Sequence, residues 1–377
     1  MKMKKLFALI LALVMTMAMA ACGSSDSGET TAAAEGDPAM NICIIVSTSV
    51  DDGGFNQNCY EGILQFLESH PDCKVTTVEE HNIAELIPTV ERMVGDYDAF
   101  VLPSFSFAGI GDIAAANPDV HFIVVDSTIT DGEGNPLTLD NVYTMVFSEQ
   151  ESGFFAGVAA ALETKTNKVA VINAMAFPSN VNFQFGFMSG VNYANAHYGT
   201  SVEYIELPSY AGVDLNGNNI GGNYIGDFLD ASLGKVVGDA VIDAGADVLF
   251  VAAGNAGNGV FTAAKEADGV KLIGVDVDQY DDGAKGSENI MLTSAIKVMD
   301  KNVCEQLTAI YDGTFVGQDA FLTAETDSTG YVSAEGRHSL SEGTLEKLAE
   351  CYELVKNGTI VPASNFNGHT PTDFPGL

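Results

Sequence analysis

Two phenylalanines occupy matching places in two similar stretches of the chain. Phe55 opens FNQNCYEGI and Phe183 opens FQFGFMSGV, and a glycine follows seven residues later in each. An aromatic residue at the start of a helix commonly packs into the hydrophobic core. The matching positions also favour a second interpretation, in which the two rings hold a flat molecule between them. Stacking of a base on a protein aromatic ring contributes about 1–3 kcal/mol to binding.

Two aspartates end repeated apolar segments, FIVVD at Asp126 and LIGVD at Asp276. A carboxylate at a strand end can accept hydrogen bonds from a vicinal diol, as the acidic residue of dinucleotide folds does for ribose. It can also belong to a plain turn. Asn56 offers both a donor and an acceptor to a base edge, or could cap the helix that starts beside it. The sequence leaves both pairs of alternatives open.

Two further positions have an ordinary and a functional interpretation. Gly254 begins GNAGNG between a predicted strand and a helix, where backbone N–H groups can bind anions. A P-loop is excluded because no Lys-Ser/Thr pair follows, so a tight turn or contact with a neutral ligand remains. Lys297 stands alone in the apolar run 292–298 and would be a surface lysine or one that reaches into a cleft. No nucleophile elbow, zinc helix or Ser-His-Asp pattern occurs, so we predict no enzyme activity, cofactor or metal site.

Alternating apolar strands and helices must position these residues. Such alternation predicts an α/β fold with parallel sheets and helices on both faces. The predicted strands are 42–46, 75–78, 99–102, 122–125, 142–147, 168–172, 202–207, 248–252 and 270–275. The predicted helices are 55–67, 83–94 with a kink at Pro88, 151–162, 183–196, 229–244 and 259–267.

Residues that follow the strands should meet in one crevice, because ligands of open α/β sheets bind beyond the carboxyl ends of the strands. The predicted lining is Ser47, Asp51, Asp52, Phe55, Asn56, Phe105, Ser106, Asp126, Phe183, Gly254, Asn255 and Asp276.

The first residues predict export. A positively charged start and the apolar run 6–19 are followed by Met19-Ala20-Ala21-Cys22, which indicates a signal peptide over 1–21. The segment resembles a bacterial lipobox and implies diacylglycerol on Cys22. An ordinary signal with an incidental cysteine is the alternative. Residues 22–39 hold almost no large apolar side chain and are predicted to be a disordered tether.

Charge restricts the partners. The formal net charge is −35, which repels phosphates and argues against nucleic acid and nucleotide ligands. A neutral or cationic ligand is favoured. The five cysteines after Cys22 are irregularly spaced and give no disulfide framework, although Cys304 and Cys351 both lie on helical patterns and could pair.

Eight segments of the chain occur in a characteristic order: DDGGFNQNCYEG, FVLPSFSFAG, PDVHFIVVDS, EQESGFFAGVAAAL, NFQFGFMSGV, ADVLFVAAGNAGNGVF, IGVDVDQ and LTSAIKVMDKNV. Together they resemble the basic membrane protein family of lipoproteins, substrate-binding proteins of ABC transporters related to bacterial purine nucleoside receptors. The resemblance implies a type I periplasmic-binding-protein fold with two doubly wound parallel-sheet lobes joined by a hinge. We expect one lobe from 40–147 plus about 277–305, the other from 148–276 plus about 306–361, and a tail at 362–377.

The resemblance also implies roles for residues. The predicted ligand-binding set is Asp52, Phe55, Asn56, Ser106, Asp126, Phe183, Gly254, Asp276 and Lys297. Within it, the two phenylalanines match the aromatic pair around the purine, Asn56 and Asp126 match positions near the base, and Gly254, Asp276 and Lys297 match positions near the ribose. The sequence departs from the family pattern in two places: Ser47-Thr48-Ser49 is one residue shorter than the usual loop, and Asn182 replaces a common arginine.

The predicted function is that of an extracytoplasmic, lipid-anchored, monomeric receptor of an ABC importer that binds purine nucleosides and delivers them to a permease. A sugar or another small polar ligand is the alternative within the binding class. A secreted nucleosidase is the alternative from a different class, and the sensory domain of a regulator is disfavoured.

Overall fold

The computed structural model describes residues 38–377. The predicted signal peptide, Cys22 and nearly all of the predicted tether lie outside the described residues. The α-helices are α1 (Phe55–Ser69), α2 (Leu86–Met93), α3 (Gly111–Ala116), α4 (Glu149–Glu163), α5 (Pro178–His197), α6 (Ala231–Asp243), α7 (Gly254–Glu266), α8 (Met299–Tyr311) and α9 (Glu342–Lys356).

Two six-stranded sheets form the centre of the described region. Their strands are β1 (Asn41–Val46), β2 (Lys74–Glu79), β3 (Ala99–Pro103), β4 (His121–Val125), β5 (Val142–Phe147), β6 (Lys168–Asn173), β7 (Glu203–Tyr204), β8 (Val248–Ala252), β9 (Lys271–Asp276), β10 (Met291–Lys297), β11 (Gln318–Leu322) and β12 (Thr329–Tyr331). Short two-stranded ribbons pair Ile129–Thr130 with Pro136–Leu137, Gly212–Val213 with Asn219–Gly221, and Ala284–Lys285 with Glu288–Asn289. Single 3-10 turns lie at Ile83–Glu85, Val94–Asp96, Phe105–Ile110, Pro208–Tyr210 and Tyr280–Gly283.

The first sheet has the order β11-β5-β4-β3-β1-β2 and is entirely parallel. The second has the order β12-β10-β9-β8-β6-β7, with only β12 antiparallel. The inner strands are buried along nearly their whole length, because helices cover both faces of each sheet. Their continuous apolar runs follow from this double burial.

The chain passes between the two lobes three times, after β5, after β10 and after β11. The predicted division of the lobes is wrong in the last third of the chain. Residues 277–297 stay with the second lobe, since β10 pairs with β9 there. Helix α8 packs on the first lobe, and β11 pairs with β5 of the first sheet. Only β12 and α9 then return to the second lobe.

Several predicted elements differ in their bounds, and the predicted strand 202–207 shrinks to Glu203–Tyr204. Helix α5 begins at Pro178, so Phe183 lies in its second turn rather than at its start. Helix α7 begins at Gly254, five residues before the predicted start. Pro88 lies in the first turn of α2, where its missing N–H needs no partner. The predicted helix 83–94 with a kink is instead a 3-10 turn at Ile83–Glu85 followed by α2.

Glycines allow the helices that carry the site to pack closely. Gly153 and Gly157 of α4 face Phe183 and Phe187 of α5, and a Cβ on either glycine would overlap a backbone carbonyl oxygen of α5. Neither position could carry a larger side chain unless one of the two helices moved. The contact fixes α5, which carries Phe183, against the helix that begins at Glu149.

Residues 38–377 contain neither a disulfide nor a helix that could span a membrane. The five cysteines there are unpaired, and Cys304 on α8 and Cys351 on α9 belong to different lobes. No helix of this region combines the length and the apolar character needed to cross a membrane.

Candidate ligand-binding site

A cavity lies between the lobes at the carboxyl ends of both sheets and holds about 740 Å³ of empty space, including space open to solvent. All nine residues of the predicted ligand-binding set line it, together with the predicted Ser47 and Phe105. Two predicted lining residues are absent from it: Asp51 is exposed and Asn255 is half-buried outside the lining. The remaining lining residues are Thr48, Ile83, Pro103, Ser104, Phe177, Ser179, Asn180, Phe228, Ala252 and Val275.

Lys297 reaches into this cavity from the end of β10 and is buried, with 1% of its surface exposed. Its Nζ donates to Oδ1 and Oδ2 of Asp126 at 2.6 and 2.7 Å, and to Oε1 of Glu149 at 3.5 Å. Burial acts to lower the pKa of Lys297, but the nearby carboxylates outweigh it and hold that pKa above its ordinary value. The ammonium therefore stays charged and joins a carboxylate of the first lobe to one of the second.

Glu149 was missed by the sequence reasoning, because an acid in the first turn of a helix is usually a solvated residue that favours the helix dipole. Here it is buried. Burial raises the pKa of Glu149, although Lys297 opposes the effect. Asn182 supports it by donating to Oε2 at 2.9 Å, while the Asn182 Oδ1 accepts from the backbone of Asn365. The replacement of arginine by Asn182 thus lies behind the cavity wall.

Asp276 is the last residue of β9, and 8% of its surface is exposed. No described residue donates a hydrogen bond to its side-chain carboxylate. Its Oδ1 is fully buried. Burial raises the pKa of Asp276 to about 7, and the negative charges of Asp126 and Asp52 add to this while Lys297 opposes it. A buried acceptor without a partner costs free energy, so this oxygen is suited to a ligand hydroxyl or N–H.

Asn56 presents a second unpaired acceptor. Its Nδ2 donates to Oγ1 of Thr48 at 2.6 Å and to Oδ2 of Asp52 at 2.9 Å, while its own Oδ1 is buried without a partner. Asp52 caps α1, since its Oδ1 accepts from the backbone N–H groups of Gly54 and Gln57. Burial raises the pKa of Asp52 against these hydrogen bonds. The capping role considered for Asn56 therefore belongs to Asp52.

Aromatic rings enter the cavity from both lobes. Phe55 is the first residue of α1, and Phe183 packs edge-on against Phe250 with ring centroids 5.6 Å apart. The Lys297 Nζ lies 4.8 Å from the Phe55 ring centroid and 5.8 Å from that of Phe183. Both rings thus face one region of the cavity.

Two other phenylalanines were missed. Phe177 lies 5.8 Å from Phe105 of the opposite lobe and 5.7 Å from Phe228, measured between ring centroids. Phe177 follows β6 as Phe105 follows β3, so the rule that found Phe105 would have found it too. Phe228 lies in a Gly-rich loop, far along the chain from the strand ends of the two six-stranded sheets, and gave no comparable signal.

The other predicted residues form the walls. The Ser104 hydroxyl accepts from the Ser106 N–H at 3.0 Å and starts the 3-10 turn there. Gly254 has a φ of +52°, a conformation that favours glycine. A Gln279 Nε2 to Gly53 carbonyl hydrogen bond of 3.3 Å spans the lobes near the cavity.

Comparison with solved structures defines the fold. The fold matches a crystal structure of ABC transporter solute-binding proteins from Aeropyrum pernix K1 with a TM-score of 0.73 and 21% identity, covering 87% of this chain and 94% of that one. The predicted type I periplasmic-binding-protein fold is confirmed. Two lobes that enclose a lined cavity are the arrangement this fold provides.

The family follows from the sequence. Residues 39–209 and 217–363 match the family described as ABC transporter substrate-binding protein PnrA-like, or Bmp, and the chain belongs to this family. It is 28% identical to the CD4+ T-cell-stimulating antigen of Listeria innocua over 95% of this chain and 98% of that protein. It is 30% identical to a Lactococcus lactis protein named ABC transporter nucleoside-binding protein BmpA, over 81% of this chain and 84% of that protein.

Membership confirms the predicted family and the predicted absence of an enzymatic role, because the family consists of substrate-binding proteins. Its members act outside the cytoplasm, bind a small ligand and work with a permease.

Proposed function

We propose that this chain binds purine nucleosides in the cavity between its lobes and presents them to the permease of an ABC importer. The observation that carries the proposal is the pairing of two buried, unpaired acceptors, Asn56 Oδ1 and Asp276 Oδ1, with aromatic rings from both lobes. A nucleoside supplies a flat base for the rings and donors for both oxygens.

The charges favour a nucleoside over a nucleotide. Asp52, Asp126, Glu149 and Asp276 lie in or beside the cavity, whereas Lys297 supplies the single cation among its lining residues. That cation is already bound by two carboxylates. A phosphate would be repelled by this uncompensated negative charge. The neutral hydroxyls of ribose would instead donate hydrogen bonds to the carboxylates.

The name of the Lactococcus lactis relative, a nucleoside-binding protein, supports the same ligand class. A free sugar remains the second candidate, because an unpaired carboxylate such as Asp276 can accept hydrogen bonds from any vicinal diol.

Calorimetric titration tests the proposal. We expect inosine, guanosine or adenosine to bind at least about tenfold more tightly than free ribose, since base stacking contributes about 1–3 kcal/mol. Ribose binding as tightly as the nucleosides would identify a sugar receptor instead.

A matched pair of variants tests whether the Phe183 ring stacks on the ligand. Phe183→Leu should weaken nucleoside binding at least about tenfold. Phe187→Leu, one turn along α5 and buried on Phe250 outside the cavity lining, should lower stability but leave affinity unchanged. Equal affinities for the two variants would remove the role of Phe183.

We further propose that Cys22 carries the lipid anchor, which is supported by the sequence around it. Mass spectrometry of the mature N-terminal peptide should find diacylglycerol on Cys22, and Cys22→Ala should release the protein from the membrane fraction. An unmodified Cys22 would leave an ordinary secreted protein.

A further inference from the structure

The structure fixes the direction of one amide in the cavity. We infer that Asp52 and Thr48 orient Asn56 so that a bound base must bring an N–H donor to it. This inference rests on the proposed nucleoside function and adds to it the polarity of the contact with the base.

The orientation follows from the partners of Asn56. Its Nδ2 lies 2.9 Å from a carboxylate oxygen of Asp52 and 2.6 Å from the hydroxyl of Thr48. A reversed amide would place its oxygen against the Asp52 carboxylate, two acceptors in contact with no proton between them. The same Asp52 carboxylate accepts three backbone N–H bonds at the start of α1, so it cannot turn away without uncapping the helix.

The consequence is an acceptor without a partner. Both amide hydrogens of Asn56 are used within the protein, and its Oδ1 is buried and unpaired although the residue lines the cavity. Phe55 and Asn56 both line the cavity, so a base stacked on the Phe55 ring can present its edge to this oxygen. A ligand atom with a lone pair at that place would face a second lone pair.

Purine nucleosides differ in what they can supply. Hypoxanthine in inosine carries an N1–H, and adenine in adenosine carries N6–H groups. The unsubstituted base of purine riboside has nearly the same shape but no N–H at all. Thr48 and Asp52 are therefore positioning residues for specificity.

The test compares these three ligands by calorimetric titration of the full-length protein. We expect purine riboside to bind at least about tenfold more weakly than inosine and adenosine, because a buried acceptor would stay unpaired. Equal affinities for all three would overturn the inference and leave the nucleoside function intact. Failure of all three to bind would overturn the proposed function itself.

A pair of variants tests the positioning role. Asp52→Asn can still cap α1, but its amide can donate, which allows Asn56 to reverse and offer a hydrogen to the ligand. The ratio of the dissociation constants of purine riboside and inosine should then fall toward one. Asp51→Asn, an exposed neighbour outside the cavity, should keep the wild-type ratio. A ratio unchanged by Asp52→Asn would contradict the role of Asp52, whatever happens to affinity or stability.

Discussion

Asp126 and Asp276 occupy the same place in the two halves of the molecule and have opposite surroundings. Each ends a buried strand, and the backbone φ angles are 67° and 66°. Asp126 accepts two short hydrogen bonds from Lys297, whereas Asp276 accepts none from the described residues. A repeated scaffold has thus produced one carboxylate that is satisfied within the protein and one that is left open.

The difference arises at the end of β10, where the chain passes between the lobes and the two halves of the molecule do not match. Lys297 ends β10, and its ammonium bridges Asp126 of the first lobe and Glu149 of the second. The carboxylate of Asp276 therefore either carries a charge without a partner or holds a proton. Perturbed, buried groups of this kind concentrate at functional sites. We therefore propose a structural role for Asp126 and a ligand-binding role for Asp276.

Removing the shared cation should have the largest effect. Lys297→Met leaves Asp126 and Glu149 buried without a positive partner, which costs about 3–5 kcal/mol. Urea denaturation at pH 8 should show this loss of stability. Lys235→Met breaks exposed ion pairs with Asp239 and Glu266 and should cost less than about 1 kcal/mol. Similar losses for both variants would mean that the buried pairing does not stabilise the fold.

Neutralising the open carboxylate should do the opposite. The pKa of Asp276 is about 7 in the folded protein, against 3.8 ordinarily, so its contribution to stability is full below about pH 4 and is lost as the pH rises through 7. Asp276→Asn should therefore raise the free energy of unfolding at pH 8 by about 1–3 kcal/mol, with little change at pH 4. Denaturation at both pH values measures this, and a destabilised variant at pH 8 would contradict the assignment.

Nucleoside affinity should also depend on the protonation of Asp276. Hydroxyl donors favour the ionised form of Asp276, so nucleoside binding near pH 7 should release a proton. Affinity should increase with pH by at most about tenfold per unit below 7 and level off above it. Glu149 also has a raised pKa, so Asp276→Asn is the control: its affinity should lose most of the pH dependence. A slope that persists in the variant would assign it to another group.

The acid two residues further on should have the smallest effect. Asp278 is partly exposed and paired with Arg337 at 2.6 Å. Asp278→Asn should change stability by less than about 1 kcal/mol and leave nucleoside affinity unchanged in titration. A marked loss of affinity would show that general acidity, rather than the open position of Asp276, matters.

Much of the site could be predicted because strand ends and loops are local features. The runs ending at Val46, Val125 and Val275 mark the edge of each sheet, and residues after them necessarily share it. Phe55 and Asn56 were found this way, and the family resemblance added Lys297.

The remaining features depend on long-range pairing. No spacing rule indicates that Lys297 binds Asp126, 171 residues away, rather than Asp276. The apolar run of β10 fits either sheet equally well, so its lobe was assigned wrongly. The burial of Glu149 and the direction of the Asn56 amide follow from neighbours that only the folded chain brings together.

The central claim is that Asp276 accepts the ribose hydroxyls of a nucleoside. Calorimetric titration of the wild-type protein and Asp276→Asn with inosine and 2′,3′-dideoxyinosine tests it most directly. The wild type should prefer inosine by at least about tenfold, and the variant should bind both ligands with similar, weak affinity. A variant that keeps the full wild-type preference for inosine would contradict the claim.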